Sequence, residues 1–258
     1  MFPRRLLLLA LVTSPAAAQL HGVPIRPLSA LNPLLDTTGF RGTVLVYDLQ
    51  RHRLHAIHPE LADARRLPAS TFKIANSLIA LETGVIADES AVIPWDSVVR
   101  DRTELNQELA LTDAFRLSAV PHYQSLARAI GGTRMKRFID TLNYGNRAIG
   151  GAVDEFWLAG DLRISPREQI EFLVRLYRRE LPVSTRAMEI VRRIMTVETR
   201  PGSVLRAKTG WTESADGRQV GWWVGWVENP EGAFFFASMI EADRPDPAFS
   251  AARTVVAR

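Results

Sequence analysis

The sequence predicts an α+β fold: one antiparallel sheet formed from both chain ends and flanked by helices, with an adjoining all-helical region. Three observations predict it. Strand-like runs occur near the N-terminus, at residues 42–57, and again after residue 200. The stretch between carries helical periodicity. The last two strand-like runs are almost wholly apolar, which places them at the centre of a sheet covered on both faces. Residues 19–258 are expected to form a single domain. Its mixed part takes roughly 19–66 and 191–258, and its helical part roughly 67–190.

Taken in order, residues 1–18 have the pattern of a secretory signal. Arg4 and Arg5 form a basic start, Leu6 to Val12 a short apolar core, and Ala16-Ala17-Ala18 a small-residue cleavage site, so cleavage is expected after Ala18. The apolar run is too short to span a bilayer, and no later segment approaches ~20 apolar residues. The expectation is an exported, periplasmic protein without stable membrane insertion. Removing Arg4 and Arg5 takes the formal charge from +4 to +2, with basic residues interspersed among acids, which argues against nucleic acid as a partner. There is no cysteine, so stability in an oxidising compartment must come from the core alone.

Gly42 to Tyr47 and Arg53 to Ile57 read as a hairpin turning at Asp48 to Arg51. From Pro68 the period changes. Phe72, Ala75, Leu78, Ile79 and Leu81 predict a helix with few charges, buried nearly all round and stopped at Gly84. Residues from about 90 to 190 read as helical, broken at Gly131-Gly132, at 144–151 and at Gly160-Asp161. Within them Gln169 to Arg179 is amphipathic, with Ile170, Leu173, Val174 and Tyr177 on one face. Residues 204–208, 220–227 and 233–240 predict three strands, and 248–257 a closing helix. A functional site belongs at the seam between the sheet and the helical region.

The chemistry is signalled by lysine. Arginine outnumbers lysine 29 to 3, and two of the three lysines sit in motifs. Lys73 lies in Ser70-Thr71-Phe72-Lys73, and Lys208 in Lys208-Thr209-Gly210; Lys136 lies in a charged, surface-like run. Arginine keeps its proton at any accessible pH, whereas a desolvated lysine can lose one. A chain that otherwise uses arginine for positive charge therefore needs the amine at these positions. Ser70 and Lys73, three apart at a helix start, share one face. Unpaired backbone N–H groups there favour a developing oxyanion, and the amine can activate the hydroxyl. Lys208 and Thr209 offer a cation and a hydroxyl to a carboxylate-bearing substrate, and Gly210, at the end of a predicted strand, lets another chain or a ligand lie against the strand edge.

These motifs, with Ser118-Ala119-Val120, Tyr144-Gly145-Asn146, Phe156-Trp157-Leu158 and Gly221-Trp222-Trp223-Val224-Gly225-Trp226, give the chain its resemblance to the class D, oxacillinase-type, serine β-lactamases. The resemblance covers nearly all of residues 19–258. Class A relatives match less well, because they carry S-D-N where this chain has S-A-V. It implies a serine β-lactamase/penicillin-binding-protein-like fold and hydrolysis of the β-lactam ring through an acyl-enzyme on Ser70. It also implies Lys73 carboxylated by CO2 or bicarbonate as general base, with Trp157 holding the carbamate. Phe72, Val120, Trp157 and Leu158 are apolar residues available to desolvate that amine. Ser118 would pass a proton to the leaving nitrogen with support from Lys208. The N–H groups of Ser70 and Trp211 would form the oxyanion hole, and Val120, Leu158, Thr209, Gly210 and Trp211 would line the substrate. No metal or other cofactor is implied. The partners are small-molecule β-lactams, and the state is monomer or homodimer.

One family feature is missing, an arginine after the last strand that binds the substrate carboxylate. Ser250 falls at or near that slot, and Arg253 is the candidate replacement. Two other readings share the serine and lysine motifs: a penicillin-sensing receptor domain, which would stay acylated and be joined to transmembrane helices, and a D-alanyl-D-alanine peptidase. Trp157 in its F-W-L setting argues against the latter. His52, His55 and His58 do not read as a metal site, because on a strand His55 would face away from the other two. Asp154-Glu155 reads as a solvated loop and Arg192-Arg193 as a solvated helix face.

Overall fold

The computed structural model describes residues 20–214 and 216–255. The signal-like segment and its cleavage site lie outside the described residues. Among the described residues nine strands and eight α-helices follow one another. Strand β1 (Ile25–Pro27) and helix α1 (Asn32–Asp36) precede the hairpin β2 (Arg41–Asp48) and β3 (Arg53–Ile57). A 3₁₀ turn at Ala69–Phe72 runs into α2 (Lys73–Glu82). Next come β4 (Val92–Ile93), β5 (Leu109–Ala110), α3 (Leu111–Arg116), α4 (Val120–Ile130), α5 (Gly132–Leu142), α6 (Pro166–Arg178) and α7 (Thr185–Ile194). The chain closes with β6 (Thr196–Arg200), β7 (Ser203–Glu213), β8 (Gln219–Asn229), β9 (Gly232–Ala242) and α8 (Phe249–Val255).

Seven strands form one sheet in the order β1-β3-β2-β9-β8-β7-β6, so both chain ends meet along β2 and β9. All pairings are antiparallel except β1 with β3. The apolar β9 and β8 are interior strands, as their composition requires. Helix α6 packs on one face of the sheet, and α1 and α8 pack on the other. Helix α2 sits among α4, α5 and α7 with every residue from Lys73 to Leu81 buried.

Several details differ from the sequence reading. The stretch 90–190 contains a short antiparallel ribbon, β4 with β5, whose two-residue strands leave no periodic trace. Edge strand β6 is exposed throughout and so has no apolar face to read. Helix α6 begins three residues earlier than its apolar face. Ser165 accepts from the Glu168 N–H at 3.3 Å while Glu168 accepts from the Ser165 N–H at 2.9 Å, a capping box with Pro166 in the first turn. Gly132 opens α5, and Gly131 alone makes the break. Lys208-Thr209-Gly210 lies inside β7 and does not end it, because β7 continues to Glu213.

Candidate active site

The seam between the two parts is formed where β7 lies against the 3₁₀ turn that carries Ser70. Gly210 makes this possible. A Cβ there would stand 3.0 Å from the Pro68 carbonyl oxygen and 3.1 Å from the Thr71 side chain. The segment that glycine admits is therefore the protein's own nucleophile turn. That turn is strained at Ala69, whose φ of 49° is left-handed, a conformation costing on the order of 1 kcal/mol for a residue with a Cβ. Two contacts hold it. The Ala69 N–H donates to the Trp157 carbonyl at 3.0 Å, and Thr71 Oγ1 donates to the Pro68 carbonyl at 2.7 Å while accepting from Gln169 Nε2 at 2.8 Å. Ser70 thus precedes the α-helix proper, and Lys73 is the first residue of α2.

Lys73 Nζ stands 2.9 Å from Ser70 Oγ and is fully buried. Burial first, and then the charges of Lys208 and Arg102, push its pKa well below that of a free lysine. Both of these charges are positive and add to the effect of burial. A face of the amine lies over the Tyr123 ring, 5.2 Å from its centroid. Tyr123 is itself fixed by Ser77, whose Oγ is 2.7 Å from the phenol oxygen. The sequence reading omitted Tyr123, although its place one turn after Val120 on α4 put it on a shared face.

Trp157 is fully buried and stacks on Phe72, the ring centroids 5.2 Å apart. Among the described residues its indole Nε1 has no hydrogen-bond partner. A buried N–H without an acceptor is costly and points to a group yet to be bound. The tryptophan is held by the turn at Asn146, which accepts from the Arg163 N–H at 2.9 Å and donates to the Asp161 carbonyl at 2.8 Å. Tyr144-Gly145-Asn146 therefore clamps the loop that follows Trp157. Leu158, half-buried, accepts from Thr212 Oγ1 at 2.7 Å and ties the same loop to β7.

The second serine–lysine pair crosses the seam. Lys208 Nζ donates to Ser118 Oγ at 3.1 Å and to the Thr209 carbonyl at 3.0 Å, and lies 5.6 Å from the centre of the Phe115 ring. Ser118 has a left-handed φ of 55° and sits between α3 and α4, with Ala119 as the N-cap of α4 and Val120 its first residue. Burial, then Arg253 and Arg102, lower the Lys208 pKa to about 7. Arg253, on α8, donates to the Gly210 carbonyl at 3.0 Å, and its guanidinium carbon is 5.9 Å from the centre of the exposed Trp211 ring. It crosses β8 at Gly221, where a Cβ would meet its Cγ at 2.6 Å. Arg253 and Ser250 also bond to each other, at 2.8 Å. The structure thus sets a guanidinium beside Lys208-Thr209-Gly210.

The whole assembly is one nucleophile beside a desolvated amine, a second hydroxyl beside a second depressed amine, and a cationic rim. Known proteins resemble the chain that carries it. The sequence model of the penicillin-binding protein transpeptidase domain matches residues 41–258. The β-lactamase OXA-48 of Klebsiella pneumoniae is 42% identical over 206 residues, covering 80% of this chain and 77% of that protein. The chain belongs to the class D β-lactamases. Two solved class D β-lactamases carry the same fold. YbXI from Nostoc is 43% identical, with a TM-score of 0.83 over 88% of this chain and 94% of that one. FUS-1 (OXA-85) from Fusobacterium nucleatum subsp. polymorphum is 33% identical, with a TM-score of 0.85 over 90% and 95%.

Residues set aside in the sequence reading have structural partners. His52 and His58 lie outside β3, both with left-handed φ, so the strand argument against a metal site does not apply to them. They instead pair with Tyr47 at 2.6 Å and Asp36 at 2.8 Å. Asp154 binds Arg128 at 2.5 Å. Arg193 binds Glu89 at 2.6 Å, whereas Arg192 is not a solvated residue: it is mostly buried over the Tyr177 ring. Among the described residues no helix is long and apolar enough to cross a membrane.

Proposed function

We propose that the protein hydrolyses the β-lactam ring of penicillin-type antibiotics through an acyl-enzyme on Ser70, and so confers resistance. The observation that carries the mechanism is a fully buried amine, Lys73, 2.9 Å from Ser70 Oγ, together with the partnerless indole N–H of Trp157. A neutral Lys73 reacts with CO2, and the resulting carboxylate supplies an anionic oxygen base beside Ser70. Trp157 Nε1 is the donor that holds it.

Ser70 Oγ loses its proton at Lys73 and attacks the lactam carbonyl carbon. The Ser70 and Trp211 N–H groups receive the oxyanion that forms. Ser118 Oγ gives its proton to the ring nitrogen as the C–N bond breaks, and Lys208 Nζ restores the proton or steadies the developing charge. The substrate carboxylate meets Thr209, Lys208 and Arg253. Its charge raises the Lys208 pKa again from about 7, so binding itself makes that amine cationic. Water activated at Lys73 then cleaves the acyl bond. Val120, Leu158, Gly210 and Trp211 line the substrate. Residues 19–258 act as one catalytic domain, monomeric or homodimeric. Residues 1–18 act as a signal peptide that directs export to the periplasm.

Steady-state hydrolysis of benzylpenicillin, oxacillin, a cephalosporin and a carbapenem, with and without bicarbonate, tests this reading. Multiple turnovers that rise with bicarbonate at mildly acidic pH are expected. A single stoichiometric acylation without turnover would contradict it and mark a sensor.

A further inference from the structure

Arg102 lies in the helical part of the molecule, beside the residue that precedes Ser118. It caps the 3₁₀ turn Thr103–Leu105, whose Leu105 is buried in the core. A reciprocal clamp fixes the loop: the Arg100 N–H donates to Asn106 Oδ1 and Asn106 Nδ2 donates to the Arg100 carbonyl, both at 2.9 Å. Arg102 Nη2 donates to the Leu117 carbonyl at 3.0 Å, one residue before Ser118. The guanidinium is therefore held beside the Ser118–Lys208 pair by backbone, from the helical part of the molecule. Its field reaches both Lys73 and Lys208.

Among the described residues its acidic partner is Glu104, whose Oε1 lies 3.0 Å from Nε and 2.8 Å from Nη2. Both side chains of that pair are about half exposed, 52% and 44%, so solvent screens it and the partner is readily exchanged. Among the described residues Arg102 Nη1 has no hydrogen-bond partner, whereas Nε and Nη2 are both engaged. Arg253 is anchored separately, on the Gly210 carbonyl of the sheet part. Two guanidinium groups are thus fixed on different carbonyls, and the positive charge of both acts on Lys208. The single carboxylate shared by β-lactams engages Lys208, Thr209 and Arg253, which leaves Arg102 for another anion.

We propose that Arg102 is a specificity-determining residue that favours β-lactams carrying a second anionic group, a carboxylate or sulfonate besides the ring carboxylate. The inference rests on the β-lactamase reading and narrows it to a substrate class. Its physical basis is a charge-assisted hydrogen bond from Nη1 of a guanidinium held in place at a half-exposed rim.

The test compares kcat/KM for benzylpenicillin and for its α-carboxy analogue in the wild type, Arg102→Gln and Arg102→Lys, at low and high salt. In Arg102→Gln the dianionic substrate should lose about tenfold, mainly through KM, and benzylpenicillin about two- to threefold. Arg102→Lys should recover part of the difference, and high salt should shrink it. Equal losses on both substrates would overturn the proposal and assign Arg102 to the common carboxylate. No loss on either would overturn it as well and make Arg102 a loop anchor. Absence of benzylpenicillin turnover in the wild type would instead defeat the β-lactamase reading beneath it.

Discussion

Two serine–lysine pairs face each other in this site, and they are built differently. Ser70 and Lys73 are three residues apart on one turn, 2.9 Å between their polar atoms, with the amine wholly buried. Ser118 and Lys208 are ninety residues apart, joined across the seam at 3.1 Å. The first amine is stripped of its charge chiefly by burial. The second is also buried but sits at about 7, beneath two arginines at a rim that substrate can reach. The difference separates two tasks. An amine whose pKa is pushed well down by burial suits reaction with CO2 and proton abstraction. An amine near its midpoint can exchange a proton with Ser118 and become cationic when a carboxylate arrives.

The largest test of that division is at Lys73. Lys73→Ala should lower kcat/KM for benzylpenicillin by ~10³-fold or more and leave either a stable acyl-enzyme or none by mass spectrometry. Lys208→Ala should cost ~10²-fold with turnover retained. Equal losses would erase the distinction between the pairs. Next in size is Trp157→Phe, which keeps an aromatic ring against Phe72 and removes only the N–H. Deacylation should slow by ~10- to 100-fold, the worth of one hydrogen bond to a charged group, and excess bicarbonate should recover part of it. Unchanged deacylation would return Trp157 to packing alone.

The smallest effect is on stability. The folded pKa of Lys208, about 7, lies below that of an unfolded lysine, so the unfolded chain binds more protons between roughly pH 7 and 10 and stability rises with pH there. Lys208→Met should therefore raise Tm at pH 7 by a few degrees, on the order of 1–2 kcal/mol, and the gain should fade toward pH 10. A gain that stays constant with pH would show that Lys208 is not the group titrating.

The same contrast governs what could be read from the sequence. Strands β2, β3, β7, β8 and β9 carry apolar runs long enough to recognise, whereas β1, β4 and β5 are two or three residues long. Ser70 and Lys73 were legible from spacing, because helical geometry alone brings them together. Ser118 and Trp157 emerged only through the family motifs, since a tertiary contact makes them functional. Tyr123 could have been found by extending the face of α4 from Val120. Arg102 carried no signal, because its meaning depends on a carbonyl fifteen residues later. Glycine 210 misled for a physical reason: it resembled a strand end, yet it stands mid-strand to admit the nucleophile turn.

The central claim is that the buried Lys73 amine is neutral and takes up CO2. ¹³C NMR of the protein equilibrated with ¹³C-bicarbonate tests it directly. A carbamate resonance is expected in the wild type, fading as pH falls and absent in Lys73→Ala. A wild-type spectrum with no such resonance, at a pH where benzylpenicillin is being turned over, would contradict it.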